Sequence, residues 1–174
     1  IQFHIQPFSA DNAVEGTHKF SAFTASVLQM RPESSGHLKL TSSNYRDHPE
    51  IYPNYLSSEL DQKTIVKGIQ IARKIAQFEP LKSHVIEEYQ PGSEVGFDDY
   101  EATLNWARQT SVTIYHPTGT CKMGTDKMAV VDERLRVYGI QGLRVADCSI
   151  MPVITSGNTN APTIMIGEKV SQMT

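Results

Sequence analysis

The spacing of apolar and polar residues predicts strands at the start of the chain and helices later. Ile1-Gln2-Phe3-His4 alternates like a strand, and the β-branched, apolar stretch Phe20 to Met30 (FSAFTASVLQM) predicts a second one. Arg31-Pro32 ends it, Ser34-Ser35-Gly36 makes a turn, and His37 to Thr41 alternates with period two as a half-buried strand. Asn44 to Tyr55, with Pro49, Pro53 and several aromatics, reads as an ordered loop holding a short extended piece. The clearest helix runs from about Glu59 to Phe78. Ser58 stands at its N-cap, Glu59 and Asp61 lie in the first turn, where the helix dipole favours acids, and Pro80 ends it. Its apolar face is Ile65, Ile69, Ala72 and Ala76, widened by Val66, Ile75 and Leu60.

A second helix is expected from near Asp98-Asp99 to about Arg108, burying Leu104 and Ala107, with Trp106 assigned to neither face. Ser111 to Tyr115 looks like a strand leading into His116. Val130 to Asp132, Leu135 to Val137 and Leu143 to Ala146 read as further strands, the last of them buried, with Gly139 to Gly142 as a turn. Pro162-Thr163 opens a final helix, Ile164 to Met173, with proline at a tolerated first-turn position. Strands and helices do not alternate as βαβ units, so the expected class is α+β, mainly antiparallel sheet with flanking helices and no complete Rossmann unit.

Composition narrows the function without naming it. The 174 residues suffice for a real core, and 39% hydrophobic with 20% charged residues is ordinary for a folded chain. A net charge of −3 with interspersed signs leaves no electrostatic footprint for nucleic acid or an anionic membrane. Cys121 and Cys148 lie far apart and form no CxxC pair, which fits free thiols better than a disulfide framework. No apolar run reaches the length of a membrane span. A chain that opens inside a strand without an initiator Met is expected to be cut from something longer. The expected location is cytoplasmic, at most peripheral to the inner membrane.

The last third holds the candidate chemistry. His116 sits in a loop punctuated by Pro117 and Gly119, and imidazole is the side chain best suited to take a proton near neutral pH. The same position suits a histidine hydrogen-bonded at a strand end. Asn158 and Asn160 put carboxamides before a helix start, whose N–H groups can cradle a negatively charged oxygen or a heteroaromatic carbonyl. Asparagine is equally common as turn chemistry. Asp147 comes after the Leu143 to Ala146 run and suits either a ligand hydroxyl or the cap of a turn from Ser149 to Pro152. Cys121 lacks a visible setting to activate its thiol, and the six scattered histidines show no metal-ligand spacing.

Ordered blocks through the chain resemble the C-terminal region of the glucose–methanol–choline (GMC) FAD-dependent oxidoreductases, within them the choline and alcohol dehydrogenase branch. Arg31-Pro32 with Ser35-Gly36, Leu38 and Leu40 is similar to that region's start, and Pro53-Asn54-Tyr55-Leu56 with Asp61 to its second block. His116 to Gly124, Val131-Asp132, Leu135 to Ile140, Leu143 to Pro152 and Gly157 to Lys169 continue the match in order. The resemblance implies oxidation of a primary alcohol by hydride transfer to FAD. By it His116 is the proton acceptor or alkoxide stabiliser, and Asn158, where other members carry histidine or asparagine, bonds the substrate oxygen. Asp147 and Cys148 would lie near the ribityl or phosphate part of FAD, and Asn158 and Thr159 near its isoalloxazine. Cys148 stands where alanine is commoner, a small-for-small change.

The resemblance also implies partners: an alcohol substrate, an electron acceptor such as a quinone, and an N-terminal FAD-binding portion. The GxGxxG loop of such a portion is not found in these 174 residues. Residues from 1 to about 130 would then belong to a substrate-binding domain and about 131 to 174 to the FAD-binding part. By itself the chain is expected to bind little FAD and to pair through an uncovered apolar face as a homodimer. The alternative is a non-catalytic module of the same shape acting as a scaffold or binding partner.

Overall fold

The computed structural model describes residues 1–11 and 16–173. These residues have the expected α+β class, with three α-helices and two small antiparallel ladders among them. The chain divides into two compact units, residues 1–29 with 56–111 and residues 30–55 with 112–174.

In the first unit, β1 (Gln2–Gln6) pairs antiparallel with β2 (Thr24–Leu28), with Gln2 opposite Leu28 and Gln6 opposite Thr24. The loop between them is held by His18, whose N–H donates to Ser9 O at 2.8 Å. The His18 ring meets Ser9 Oγ at 2.9 Å and Asp11 at 3.1 Å and stacks on Phe20. Helix α1 (Glu59–Ala76) packs against β2 so closely that a Cβ on Gly68 would run into the Val27 side chain. Val66 and Ile69 are buried there with Asp61, whereas Leu60 and Ile75 are about half exposed, at 49% and 51%. Of the three residues expected to widen the apolar face, only Val66 is buried, so the face is narrower than the sequence suggested.

Helix α2 (Tyr100–Thr110) begins at Asp99, whose carboxylate accepts from Ala102 N–H at 2.9 Å. Thr103, Leu104 and Ala107 are buried beneath it, as expected for the last two, and Trp106 is half-buried. Arg73 of α1 fastens the segment between the helices, donating to Val95 O at 3.0 Å and pairing with Glu88 at 2.8 Å.

The second unit is built mainly from turns. β3 (His37–Lys39) and β4 (Glu50–Tyr52) form a hairpin ladder, but every residue in it is exposed, not half-buried. Val131, fully buried, centres the core with Leu135, Ile150, Met151 and Ile166. It bridges Met123 in parallel and Val137 antiparallel, and Arg136 bridges Arg144. The expected strands at 130–132, 135–137 and 143–146 are thus single bridges. Leu135 (φ 62°), Gly139 (φ 78°) and Gly142 (φ 74°) bend the chain too often for a ladder to propagate. Leu143 is 47% exposed, so that run is not a buried strand either. Residues 111–115 also fail to form a strand: Val112 and Tyr115 are exposed, and Tyr115 turns into the left-handed region at φ 62°. Its N–H bonds locally to Thr113 Oγ1 instead of a neighbouring strand. α3 (Asn160–Ser171) starts earlier than predicted, with Pro162 inside its first turn, and sends Ile166 and Val170 to the core. Among the described residues no helix is long and apolar enough to cross a membrane.

Asp132 holds the tightest of these turns. Its carboxylate accepts from the N–H groups of Arg134 and Arg136, each at 2.9 Å, and from Arg136 Nε at 2.8 Å. The side-chain bond from Arg136, backed by its backbone N–H, holds the Asp132 carboxyl below the usual carboxylate range.

Two outcomes are expected. Asp99→Ala removes the α2 cap and lowers stability by about 1 kcal/mol in urea unfolding. Because the Asp132 carboxyl is lowered on folding, its stabilisation is complete at neutral pH and fades as pH falls below the usual carboxylate range. Asp132→Asn is therefore destabilising at neutral pH, and the gap from the parent closes on acidification; a gap independent of pH would contradict this.

Candidate functional site

Three of the candidates from the last third meet in the second unit. Tyr115, in the left-handed region, turns the chain immediately before His116, a conformation that costs a non-glycine residue about 1–3 kcal/mol. Pro117 comes next, and Gly119 at φ 87° brings the loop against the chain at Met151, where an added Cβ would sit 3.4 Å from its carbonyl oxygen. From there the loop is tied to the short 3-10 helix Cys148–Ile150, Cys121 N–H donating to Ser149 O at 3.0 Å and Met123 N–H to Ile150 O at 2.8 Å. His116 is thus carried on a loop anchored to the core on its C-terminal side.

The second loop enters α3 through Gly157 at φ 94°, where an added Cβ would come within 3.2 Å of Met30 Cε. Asn158 is exposed and Thr159, the residue before the helix, is 5% exposed. The carbonyl of Thr159 accepts from Thr163 N–H at 3.0 Å and from Thr163 Oγ1 at 2.6 Å, which fixes the helix start.

The half-buried imidazole of His116 joins these loops across more than forty residues. Asn158 Nδ2 lies 2.8 Å from Nε2, and Thr159 Oγ1 lies 3.0 Å from Nδ1. Thr159 N–H also points to Nδ1, at 3.5 Å. A neutral imidazole has one N–H and one lone pair, and an amide nitrogen can only donate. Two arrangements satisfy this: Asn158 Nδ2–H donates to Nε2 and Nδ1–H donates to Thr159 Oγ1, or Nε2–H donates to the turned-over Asn158 amide and Nδ1 accepts from Thr159. In the first arrangement the Thr159 N–H, which points at Nδ1 from 3.5 Å, finds no acceptor there. The first of these sets an acceptor nitrogen beside an amide donor on the exposed side of the ring, with a buried hydroxyl behind it.

Asp147 and Cys148 have local duties. Asp147 is exposed and its carboxylate caps the 3-10 helix, accepting from Ser149 N–H at 2.7 Å, the turn-capping alternative read from the sequence. Cys148 is half-buried, its thiol free, and packs against the Val131 core. Asn160 is exposed in the first turn of α3. Sequence reasoning missed the part played by the Thr159 hydroxyl. The only signal was a threonine next to an asparagine at a helix start, which local capping explains equally well.

A family model described as GMC oxidoreductase matches residues 32–167. An oxygen-dependent choline dehydrogenase of Pseudomonas savastanoi is 45% identical over 172 residues, spanning 98% of this chain and 30% of that protein. One from Paraburkholderia xenovorans is 43% identical over 171 residues, again 98% of this chain and 30% of the relative. The chain therefore spans about 30% of the length of these curated relatives. Among solved structures, a formate oxidase of Aspergillus oryzae, studied for modification of its FAD, superposes with a TM-score of 0.81 at 27% identity, over 91% of this chain and 28% of that one. A pyridoxine 4-oxidase from Mesorbium loti gives a TM-score of 0.74 at 29% identity, over 82% of this chain and 28% of the other. With the family match over most of its length, the chain belongs to the GMC oxidoreductase family.

Proposed function

We propose that this chain is the part of an FAD-dependent alcohol oxidoreductase that handles the hydroxyl group of the substrate, with His116 and Asn158 as its catalytic pair. The observation that carries the reading is the 2.8 Å approach of an amide donor to the imidazole Nε2 on the exposed side of the ring. An alcohol hydroxyl is both donor and acceptor, and it can bridge the two once the Asn158 amide moves off the Nε2 lone pair. It accepts from Asn158 Nδ2–H and donates to the lone pair of His116 Nε2. When the carbinol carbon gives up its hydride, the hydroxyl proton passes to Nε2. The Asn158 amide stays on the same oxygen as it becomes a carbonyl, and the product is the aldehyde.

The donor set suits FAD. Asn158 is exposed, and the first-turn N–H groups of Asn160 and Ala161 come before the first intrahelical bond of α3, that from Thr163 N–H to Thr159 O. They form an electropositive, donor-rich helix end that suits the electron-rich edge of an isoalloxazine. When bound, FAD supplies the acceptor for the hydride. Asn158 and Thr159 would lie along it, and the exposed Asp147 carboxylate could accept from a ribityl hydroxyl beside Cys148. No GxGxxG loop occurs in the 174 residues, so the pyrophosphate would be held by residues outside them. The 174-residue chain by itself is expected to retain no flavin. Choline is the first substrate to try, since that is what the relatives compared above are named for.

The test uses the full-length product of the same gene. Its flavin absorbance should bleach with choline or a simple primary alcohol under anaerobic conditions, and oxygen and a quinone can then be compared as electron acceptors. His116→Ala should keep the flavin but lower kcat by roughly a hundredfold or more. Asn158→Ala should lower kcat by about ten- to a hundredfold through the lost oxygen contact. A full-length protein without flavin, or a His116→Ala variant with parental turnover, would sink the proposal and favour a non-catalytic module.

A further inference from the structure

We infer that Thr159 is a positioning residue for His116: its hydroxyl oxygen accepts from Nδ1–H and so keeps the lone pair on Nε2, where a substrate hydroxyl donates to it in place of the Asn158 amide. The inference rests on the proposed alcohol oxidation for its consequence, but the tautomer itself is a property of this chain.

Donors and acceptors around the ring are few enough to count. Among the described residues, three groups approach the two ring nitrogens: Asn158 Nδ2 at 2.8 Å, Thr159 Oγ1 at 3.0 Å and Thr159 N–H at 3.5 Å. Two of the three can only donate, and a neutral ring cannot accept at both nitrogens. The hydroxyl is the one group able to serve either tautomer. Turning the Asn158 amide over would let Nε2–H donate to Oδ1 while Nδ1 accepted from both Thr159 donors. That alternative leaves Nε2 without the lone pair a proton acceptor needs, and it relies on the longest of the three contacts.

The hydroxyl is the closer of the two Thr159 groups to Nδ1, at 3.0 Å against 3.5 Å. When Nε2 takes the substrate proton, both ring nitrogens carry hydrogen, and Nδ1–H then requires an acceptor all the more. Thr159 is 5% exposed, so water cannot readily replace its oxygen. Its place is fixed independently by the two bonds that its carbonyl receives from Thr163. A buried hydroxyl held by the helix start is a rigid reference against which the ring is aligned.

The test compares the full-length parent, Thr159→Val and Thr159→Ser, each checked for flavin content and melting temperature. In protein labelled with 15N-histidine, the His116 signals are assigned by their loss in His116→Gln, and the couplings to ring protons report the tautomer. The parent should carry its proton on Nδ1. Thr159→Val keeps the shape and loses the oxygen; it should shift the population towards Nε2–H and lower kcat by roughly tenfold or more, with KM changed much less. Thr159→Ser should restore both tautomer and kcat. An Nε2–H tautomer in the parent would overturn the inference, and so would an unchanged tautomer in Thr159→Val or a Thr159→Ser variant as impaired as valine. The two proposals fail separately. Parental turnover in a His116 variant removes the alcohol reading, whereas the tautomer in the parent decides the role of Thr159 even if Thr159→Val does not fold.

Discussion

One imidazole, gripped at both nitrogens by two successive residues, is the constraint on which the second unit depends. His116 and the 158–159 pair are more than forty residues apart, and a contact of 2.8 Å on one side and 3.0 Å on the other leaves little freedom for either loop. Closing so long a segment costs conformational entropy that two hydrogen bonds do not offset on their own. The intervening chain is therefore fastened piece by piece. Cys121 and Met123 bond to Ser149 and Ile150, Asp132 closes its turn on Arg134 and Arg136, and Val131 is enclosed at the centre. The polar pair sits at the edge of an apolar cluster whose members come from the same loops.

The core that supports this arrangement uses turns where a larger domain would use strands. Val131 makes one bridge on each side, and beyond it the chain bends at Leu135, Gly139 and Gly142. Buried backbone groups must still be paired, and here that happens one bond at a time: Val137 N–H to Leu143 O, Tyr138 N–H to Val130 O, Val145 N–H to Leu135 O. Such a web is specific without being regular. Its geometry is set by where each bend falls, which suits it to hold a loop at a fixed height above the core.

Legibility in the sequence depended on the range of the interactions involved. α1 and α2 were readable because period, cap and breaker all lie within the helix itself: Asp99 at the cap, Leu104 and Ala107 underneath, Pro80 after α1. The strand expected at 111–115 had the right composition, but among the described residues no strand pairs with it, and Tyr115 leaves the extended region, which composition does not encode. The strands expected between 130 and 146 failed because the chain bends before any ladder can extend. At the candidate site, His116 and Asn158 stood out through their loop settings and through ordered motif blocks, and the structure brings their side chains together. The hydroxyl of Thr159 did not stand out, because its bond to Nδ1 spans 43 residues and threonine at a helix start has an ordinary local explanation.

The grip on the ring also has an evolutionary side. Asn158 meets the nitrogen that faces solvent, and the very next residue meets the opposite one. An insertion or deletion between them would detach one of the two, and rotating the ring by half a turn would set carbon atoms where both nitrogens now bond. Variation is thus channelled: the amide that would touch a ligand can change in kind, but the interval that separates it from its neighbour cannot. Diversification of what this loop recognises is expected to come from surfaces elsewhere in the protein, with the two-residue step at the head of α3 left as a fixed module.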